Sequence, residues 1–140
     1  MIAIIYQRRD KENTKMNLFD YKGLIDGKPI NIATVNNSNN PNLSVASDVR
    51  VIEKNKIIIS VNEMNNTQKN IEYNSNVVLT AFNEEWVGLR IFGTGQFYTN
   101  GEYYEFCNNT FFSNGEVTPF GATRPKGAIV VKVEKIEEFK

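Results

Sequence analysis

Few residue types in this sequence can perform side-chain chemistry unaided. The 140 residues include no His and a single Cys, Cys107. The lack of His excludes Ser-His-Asp and Cys-His nucleophile systems, His-bearing zinc sites and imidazole acid–base catalysis. One Cys cannot form an internal disulfide, a Cys-x-x-Cys pair or an iron–sulfur site, and we predict no metal site. If the protein is an enzyme, we expect a bound cofactor to supply its reactive centre.

The strongest local candidate for a binding site is the segment 62–70. It follows an apolar run, and Asn66 and Thr67 are residue types that favour the start of a helix. The first backbone N–H groups of a helix lack intrahelical partners and lie at the positive end of the helix dipole, so they receive a phosphate well. Thr67 offers a hydroxyl, Asn66 an amide and Lys69 a positive charge. On local sequence alone, the alternative that these residues merely cap the helix is favoured.

A second candidate is the segment 43–50 (LSVASDVR). Its small or polar residues Ser44, Ala46 and Ser47 leave room for a flat ligand to lie against the backbone. The alternative is an edge strand with one solvent face. In that case Asp48 and Arg50 would form an exposed ion pair worth less than about 1 kcal/mol.

Two loops carry the remaining candidates. Trp86 is the only Trp and lies between two predicted strands, where it closes a barrel end, fills an interface or, less often, stacks on a ligand. The loop 118–127 (TPFGATRPKG) holds two prolines, which present Arg124 and Lys126 rigidly to solvent or to an anionic ligand.

The composition predicts one globular cytoplasmic domain. The 16 Lys and Arg residues balance the 16 Asp and Glu residues, which argues against a nucleic-acid binder. The mean hydropathy of −0.39 argues against a membrane span. The apolar run at residues 2–6 is too short for a secretory signal.

The hydrophobic pattern predicts a mostly β protein. Residues 1–28 form a polar lead-in, with a short amphipathic helix expected over 16–25. From residue 29 to 140, apolar runs alternate with Asn, Gly and Pro, as in an all-β domain with hairpin links. We predict six strands, at residues 30–35, 43–52, 56–61, 77–82, 89–98 and 128–133, forming a small barrel. Short helices are expected to begin near Thr67 and to cover residues 101–112.

Six pieces of the sequence, taken in order, resemble the successive strands of a known family. They are INIATV at 30–35, PNLSVASDVRVI at 41–52, KIIISVNEMNNTQKNI at 56–71, NVVLTAF at 76–82, LRIFGTGQFYTNG at 89–101 and GAIVVKVEKI at 127–136. The family is that of the pyridoxamine 5'-phosphate oxidase-like FMN-binding split barrels, and the similarity is greatest to its short members. The resemblance implies a homodimer of six-stranded antiparallel split barrels, with two FMN molecules in grooves between the subunits.

The resemblance also implies which residues contact FMN. The residues expected beside the isoalloxazine ring and the ribityl chain are Ser44, Val45, Ala46, Ser47, Val61, Asn62 and Glu63. Asn66 and Thr67 would take the phosphate, while Trp86 and the loop with Arg124 and Lys126 would approach from the partner chain. Many relatives carry Lys or Arg at the position of Thr67, so backbone amides, Lys69 or Arg50 would have to meet the phosphate charge here.

The predicted function is that of an FMN-dependent oxidoreductase or electron-transfer protein acting on a small molecule. The true oxidases of the family have a C-terminal Arg-x-His element, which a sequence without His lacks, so we do not expect pyridoxamine phosphate to be the substrate. The alternative is a non-catalytic module that binds flavin or another phosphate ligand, and whether the protein is an enzyme stays open. An oligonucleotide- or sugar-binding barrel is the weakest alternative. FAD, a deazaflavin or heme in place of FMN also stays open, although heme would lack a His ligand.

Overall fold

A computed structural model describes residues 16–112 and 123–139 of the chain. Seven strands form one antiparallel sheet: β1 (Ile30–Val35), β2 (Pro41–Ala46), β3 (Val49–Glu53), β4 (Lys56–Val61), β5 (Asn76–Phe82), β6 (Gly88–Tyr98) and β7 (Gly127–Phe139). The helices are α1 (Lys22–Ile25), α2 (Asn65–Tyr73) and α3 (Glu102–Phe111), and a 3-10 turn, Leu18–Tyr21, precedes α1. This mostly β antiparallel architecture confirms the predicted split barrel.

The strand order across the sheet is β2-β1-β5-β6-β7-β4-β3. The two edge strands therefore come from adjacent stretches of sequence, and β2 curves round to contact β4 on the far side. A bulge between Phe92 and Gly93 bends β6 against β7, and the backbones approach so closely there that a Cβ at Gly93 would collide with the carbonyl oxygen of Lys132. A glycine inside a strand often marks such a bulge.

The prediction of six strands was wrong in one place. Residues 43–52 form two strands, because Ser47 and Asp48 break the run and Val49 donates to the carbonyl of Ser47 at 3.0 Å. This turn carries the chain from one edge of the sheet to the other. Val45 is 64% exposed, whereas Val49 and Val51 are buried.

The core explains why the β-branched runs become strands. The inward side chains of β1, β4, β5, β6 and β7 pack in one cluster, which Leu18 and Ile25 of the N-terminal turns also join. These turns replace the single short helix predicted over 16–25, and the predicted lead-in before residue 16 lies outside the described residues.

A second, smaller cluster lies outside the barrel, where α3 covers β4 and β7. It contains Cys107, whose burial raises the pKa of the thiol to about 12. The thiol is thus buried and packs within this cluster. Within the part of the chain that is described, no helix is long and apolar enough to cross a membrane.

Candidate functional site

The N-terminus of α2 carries no side-chain cap. The helix begins at Asn65, two residues earlier than predicted, and its N-cap residue Met64 makes no side-chain capping bond. The first main-chain bond runs from the N–H of Gln68 to the carbonyl of Met64 at 2.9 Å. Helix geometry therefore leaves the N–H groups of residues 65–67 without intrahelical acceptors, at the positive end of the dipole.

Thr67 fixes this helix end to the edge strand β2. Its side chain is fully buried, and its hydroxyl shares a hydrogen bond of 2.7 Å with the Ser44 hydroxyl. The amide of Asn42 donates to the same Thr67 oxygen at 3.3 Å. The structure thus brings together two predicted site residues, Ser44 and Thr67. The buried hydroxyl of Thr67 holds α2 against β2, and the main-chain N–H of Thr67 is one of the first-turn groups of this helix.

Lys126 supplies a positive charge at the same place within one chain, although the family resemblance implied that its loop approaches from the partner chain. Val61 ends β4 beside Gly127, which begins β7, so the residue before β7 lies next to the entry into α2. The main-chain N–H of Lys126 donates to the carbonyl of Val61 at 2.8 Å, and its ammonium donates to the side-chain oxygen of Asn65 at 2.9 Å. Because an amide oxygen is neutral, this contact leaves the lysine charge available to an anion.

A polar bridge lies on the other side of the β4 end. The amide of Asn62 donates to a carboxylate oxygen of Asp48 at 3.4 Å, and the N–H of Ser60 donates to the carbonyl of Asp48 at 2.9 Å. These contacts hold the turn between β2 and β3 beside the α2 entry. Arg50 points elsewhere, since its guanidinium lies 5.1 Å from the centre of the Phe111 ring.

The other predicted site residues occupy varied environments. Ala46 and Val61 are buried, whereas Val45, Ser47, Glu63, Asn66, Lys69 and Arg124 are exposed. Sequence reasoning missed Asn42 and Asn65 as members of the site. Asn65 directly precedes the predicted Asn66 and is likewise a residue type that favours the start of a helix. Nothing in the sequence marks Asn42, which contacts a residue of another element.

Trp86 lies beside the opposite end of β7 from Lys126. It is 69% exposed in the turn between β5 and β6, adopts a positive φ of 62°, and stacks on Phe82 with ring centres 5.6 Å apart. Gly88, just beyond this turn, pairs with Phe139 at the end of β7, whereas Lys126 precedes the start of that strand. The approach of Trp86 to a flavin from a partner chain stays a prediction.

The sequence profile of pyridoxamine 5'-phosphate oxidase matches residues 23–140. The chain belongs to this family. An uncharacterized protein of Methanocaldococcus jannaschii is 30% identical to this chain over 118 residues, which are 83% of this chain and 76% of that protein.

Solved structures agree with the family assignment. HupZ of Group A Streptococcus is 26% identical, with a TM-score of 0.74 over 86% of this chain and 91% of that one. An FMN-binding protein of Syntrophomonas wolfei shares the fold, with a TM-score of 0.70 over 96% of this chain and 90% of that one, at 18% identity. The fold of the pyridoxamine 5'-phosphate oxidase family thus extends over both edges of the sheet and over α2.

Proposed function

We propose that this protein binds FMN and that the FMN phosphate lies at the N-terminus of α2. The observation that carries the proposal is the uncapped start of α2 with the Lys126 ammonium beside it, in a chain of the pyridoxamine 5'-phosphate oxidase family. The name of the S. wolfei structure, an FMN-binding protein, supports the same choice of cofactor.

The residues present fit a phosphate dianion. The first-turn N–H groups of α2 offer directional donors, and Lys126 offers a full charge. This phosphate site, which we call the α2 cradle, therefore needs no cation at the position of Thr67. The hydroxyls of Ser44 and Thr67 share one hydrogen bond, and this pair keeps β2 against the helix. Ser44 to Ser47 would then run beside the ribityl chain and the ring, with residues 61–63 on the opposite side.

Bound FMN would supply hydride or single-electron transfer, which side chains cannot perform. The chain's own contribution is to hold the phosphate, orient the ring along β2 and exclude water from one ring face. No side-chain general base is needed, which suits a protein without His. We therefore infer a cytoplasmic oxidoreductase or electron-transfer protein that acts on a small molecule or a redox partner.

The second face of the flavin would come from another copy of the chain. Leu43 and Val45 of β2 are 67% and 64% exposed, on the side of the strand opposite Ser44. Leu43 continues a row across the sheet through Ala33, Val78 and Phe92, all directly paired in register and partly exposed. We infer that this outer face pairs in a homodimer, because burying such a row removes apolar surface from water.

A flavin-binding measurement tests the proposal directly. The purified protein is denatured and the supernatant is examined for a released yellow chromophore, and the refolded or apo protein is titrated with FMN while flavin fluorescence is followed. We expect saturable binding of FMN and weaker binding of riboflavin, which lacks the phosphate. No released chromophore together with no saturable response to FMN would refute the proposal.

A redox measurement separates turnover from binding alone. The bound flavin is reduced with dithionite or with NAD(P)H, and its reoxidation by candidate acceptors is followed by absorbance. Reduction by NAD(P)H and rapid reoxidation support an oxidoreductase. A flavin that responds to dithionite only, with no acceptor faster than free flavin, would support the non-catalytic binding module.

A further inference from the structure

One peptide unit next to the α2 cradle is held from both sides. It joins Pro125 to Lys126. Its N–H donates to the carbonyl of Val61 at 2.8 Å, and its carbonyl oxygen accepts a hydrogen bond from the Tyr104 hydroxyl, also at 2.8 Å. Because the N–H and C=O groups of one peptide are coplanar, fixing both leaves the plane little freedom to rotate. The direction in which the Lys126 side chain leaves the backbone is therefore defined.

Tyr104 is itself firmly placed. It lies in the first turn of α3, which packs on β4 and β7 through the buried Cys107 and its neighbours. Tyr104 is partly buried, so its hydroxyl bond to Pro125 is shielded from water on one side. The adjacent Tyr103 faces a different group, because its hydroxyl accepts a hydrogen bond from Lys56 at 3.1 Å.

The chain thus connects α3 to the start of α2 through three contacts. Tyr104 holds the Pro125 carbonyl, the same peptide holds Val61, and the Lys126 ammonium reaches Asn65 at the first residue of α2. Pro125 contributes because its ring fixes φ and it is buried, whereas Thr123 and Arg124 before it are exposed. Without the Tyr104 contact, the peptide between Pro125 and Lys126 would be held on one side only, and the Lys126 side chain would approach the start of α2 in several orientations.

The geometry points to Tyr104 as a positioning residue for the phosphate-binding lysine. This inference rests on the proposed function, and it assigns to α3 a role in selecting a phosphorylated flavin. Tyr104 does not touch the phosphate; it orients the peptide from which Lys126 extends. The loss of its hydroxyl weakens recognition of the phosphate and leaves recognition of the ring unchanged.

The test compares FMN with riboflavin in three proteins of full length: wild type, Tyr104→Phe and the matched control Tyr103→Phe. Because Tyr104 acts only through Lys126, we expect Tyr104→Phe to weaken FMN binding about two- to five-fold, which is no more than the loss of the lysine charge itself would cause. Riboflavin binding should not change in either variant, and Tyr103→Phe should retain wild-type affinity for FMN. Circular dichroism and thermal unfolding confirm that each variant is folded.

The same Tyr104→Phe substitution made in a Lys126→Gln variant provides a stricter test. If Tyr104 acts through Lys126, Tyr104→Phe should have no further effect on FMN affinity once the lysine charge is absent. Equal weakening of FMN and riboflavin by Tyr104→Phe, or an unchanged FMN affinity, would overturn the inference while leaving the proposed function intact. Failure of the wild-type protein to bind FMN would instead overturn the proposed function, and the inference with it.

Discussion

Replacing Lys126 by Gln tests the charge at the cradle. Gln keeps a polar side chain, one bond shorter than that of Lys, but it removes the positive charge next to the first turn of α2. A unit charge pair 4 Å apart is worth about 1 kcal/mol in bulk water and about 4 kcal/mol at an effective dielectric constant of about 20. Lys126 is exposed, so its effect should lie near the lower value.

We therefore expect Lys126→Gln to weaken FMN binding about five- to ten-fold in a buffer of low ionic strength. The difference from wild type should shrink as salt is added, because the Debye length falls from about 30 Å at 0.01 M to about 8 Å at 0.15 M ionic strength. Fluorescence titrations at both salt concentrations, repeated with riboflavin, measure the effect. The matched control is Lys28→Gln, an exposed lysine on the loop before β1.

Two outcomes would refute this reasoning. An FMN affinity that Lys126→Gln does not change at low salt would show that the lysine does not meet the phosphate. An equal loss of riboflavin affinity would show that the substitution disturbs the ring site or the fold. The first result would remove Lys126 from the proposed phosphate site and leave the N–H groups of α2 there.

Four further predictions concern the fold, the thiol and the outer face. Gly93→Ala should destabilise the protein by about 2 kcal/mol or more in urea unfolding, because the new Cβ would collide with a β7 backbone carbonyl, whereas Gly23→Ala, which meets nothing within 4 Å, should be neutral or stabilising. Thr67→Val should cost about 1–3 kcal/mol, since it leaves partly buried polar groups of β2 without their partner, and unchanged urea unfolding would contradict this. Burial raises the pKa of the Cys107 thiol from 9.0 to about 12, so the thiol of the unfolded chain ionises at lower pH than that of the folded chain. The free energy of unfolding should therefore fall between pH 9 and 12, and a Cys107→Ala variant should not show this fall. Val45→Lys should convert a dimer to a monomer in size-exclusion chromatography with light scattering, and a wild-type protein of monomer size would already exclude the pairing.

The strands were predictable from the sequence because their local preferences and their burial agree. The run at β4 (KIIISV) is apolar on both faces, and the structure buries five of its six residues. Asn and Thr residues likewise predicted α2 to within two residues of its true start. The family resemblance added the split-barrel architecture, which periodicity alone does not define.

The break between β2 and β3 was not predictable in the same way. Alternating apolar residues continue across Ser47 and Asp48, so a single long strand satisfies the sequence pattern. The turn becomes favourable only in the folded chain, where the Asp48 carbonyl accepts from Ser60 and its carboxylate accepts from Asn62. Both partners belong to the end of β4 or to the loop beyond it, so the information resides in tertiary contacts.

The same reasoning explains how the proposed site accommodates a phosphate without a cation at Thr67. A lysine there would place an ammonium where the side chain is now fully buried against Ser44, which carries a large desolvation cost. The charge comes instead from Lys126, which is 61 residues away from Asn65 in sequence and reaches it only because β4 and β7 pair. Thr67 is thereby free to hold α2 on the edge strand. Helix attachment and charge therefore reside in separate residues, so Thr67→Val should act mainly on stability and Lys126→Gln mainly on FMN affinity.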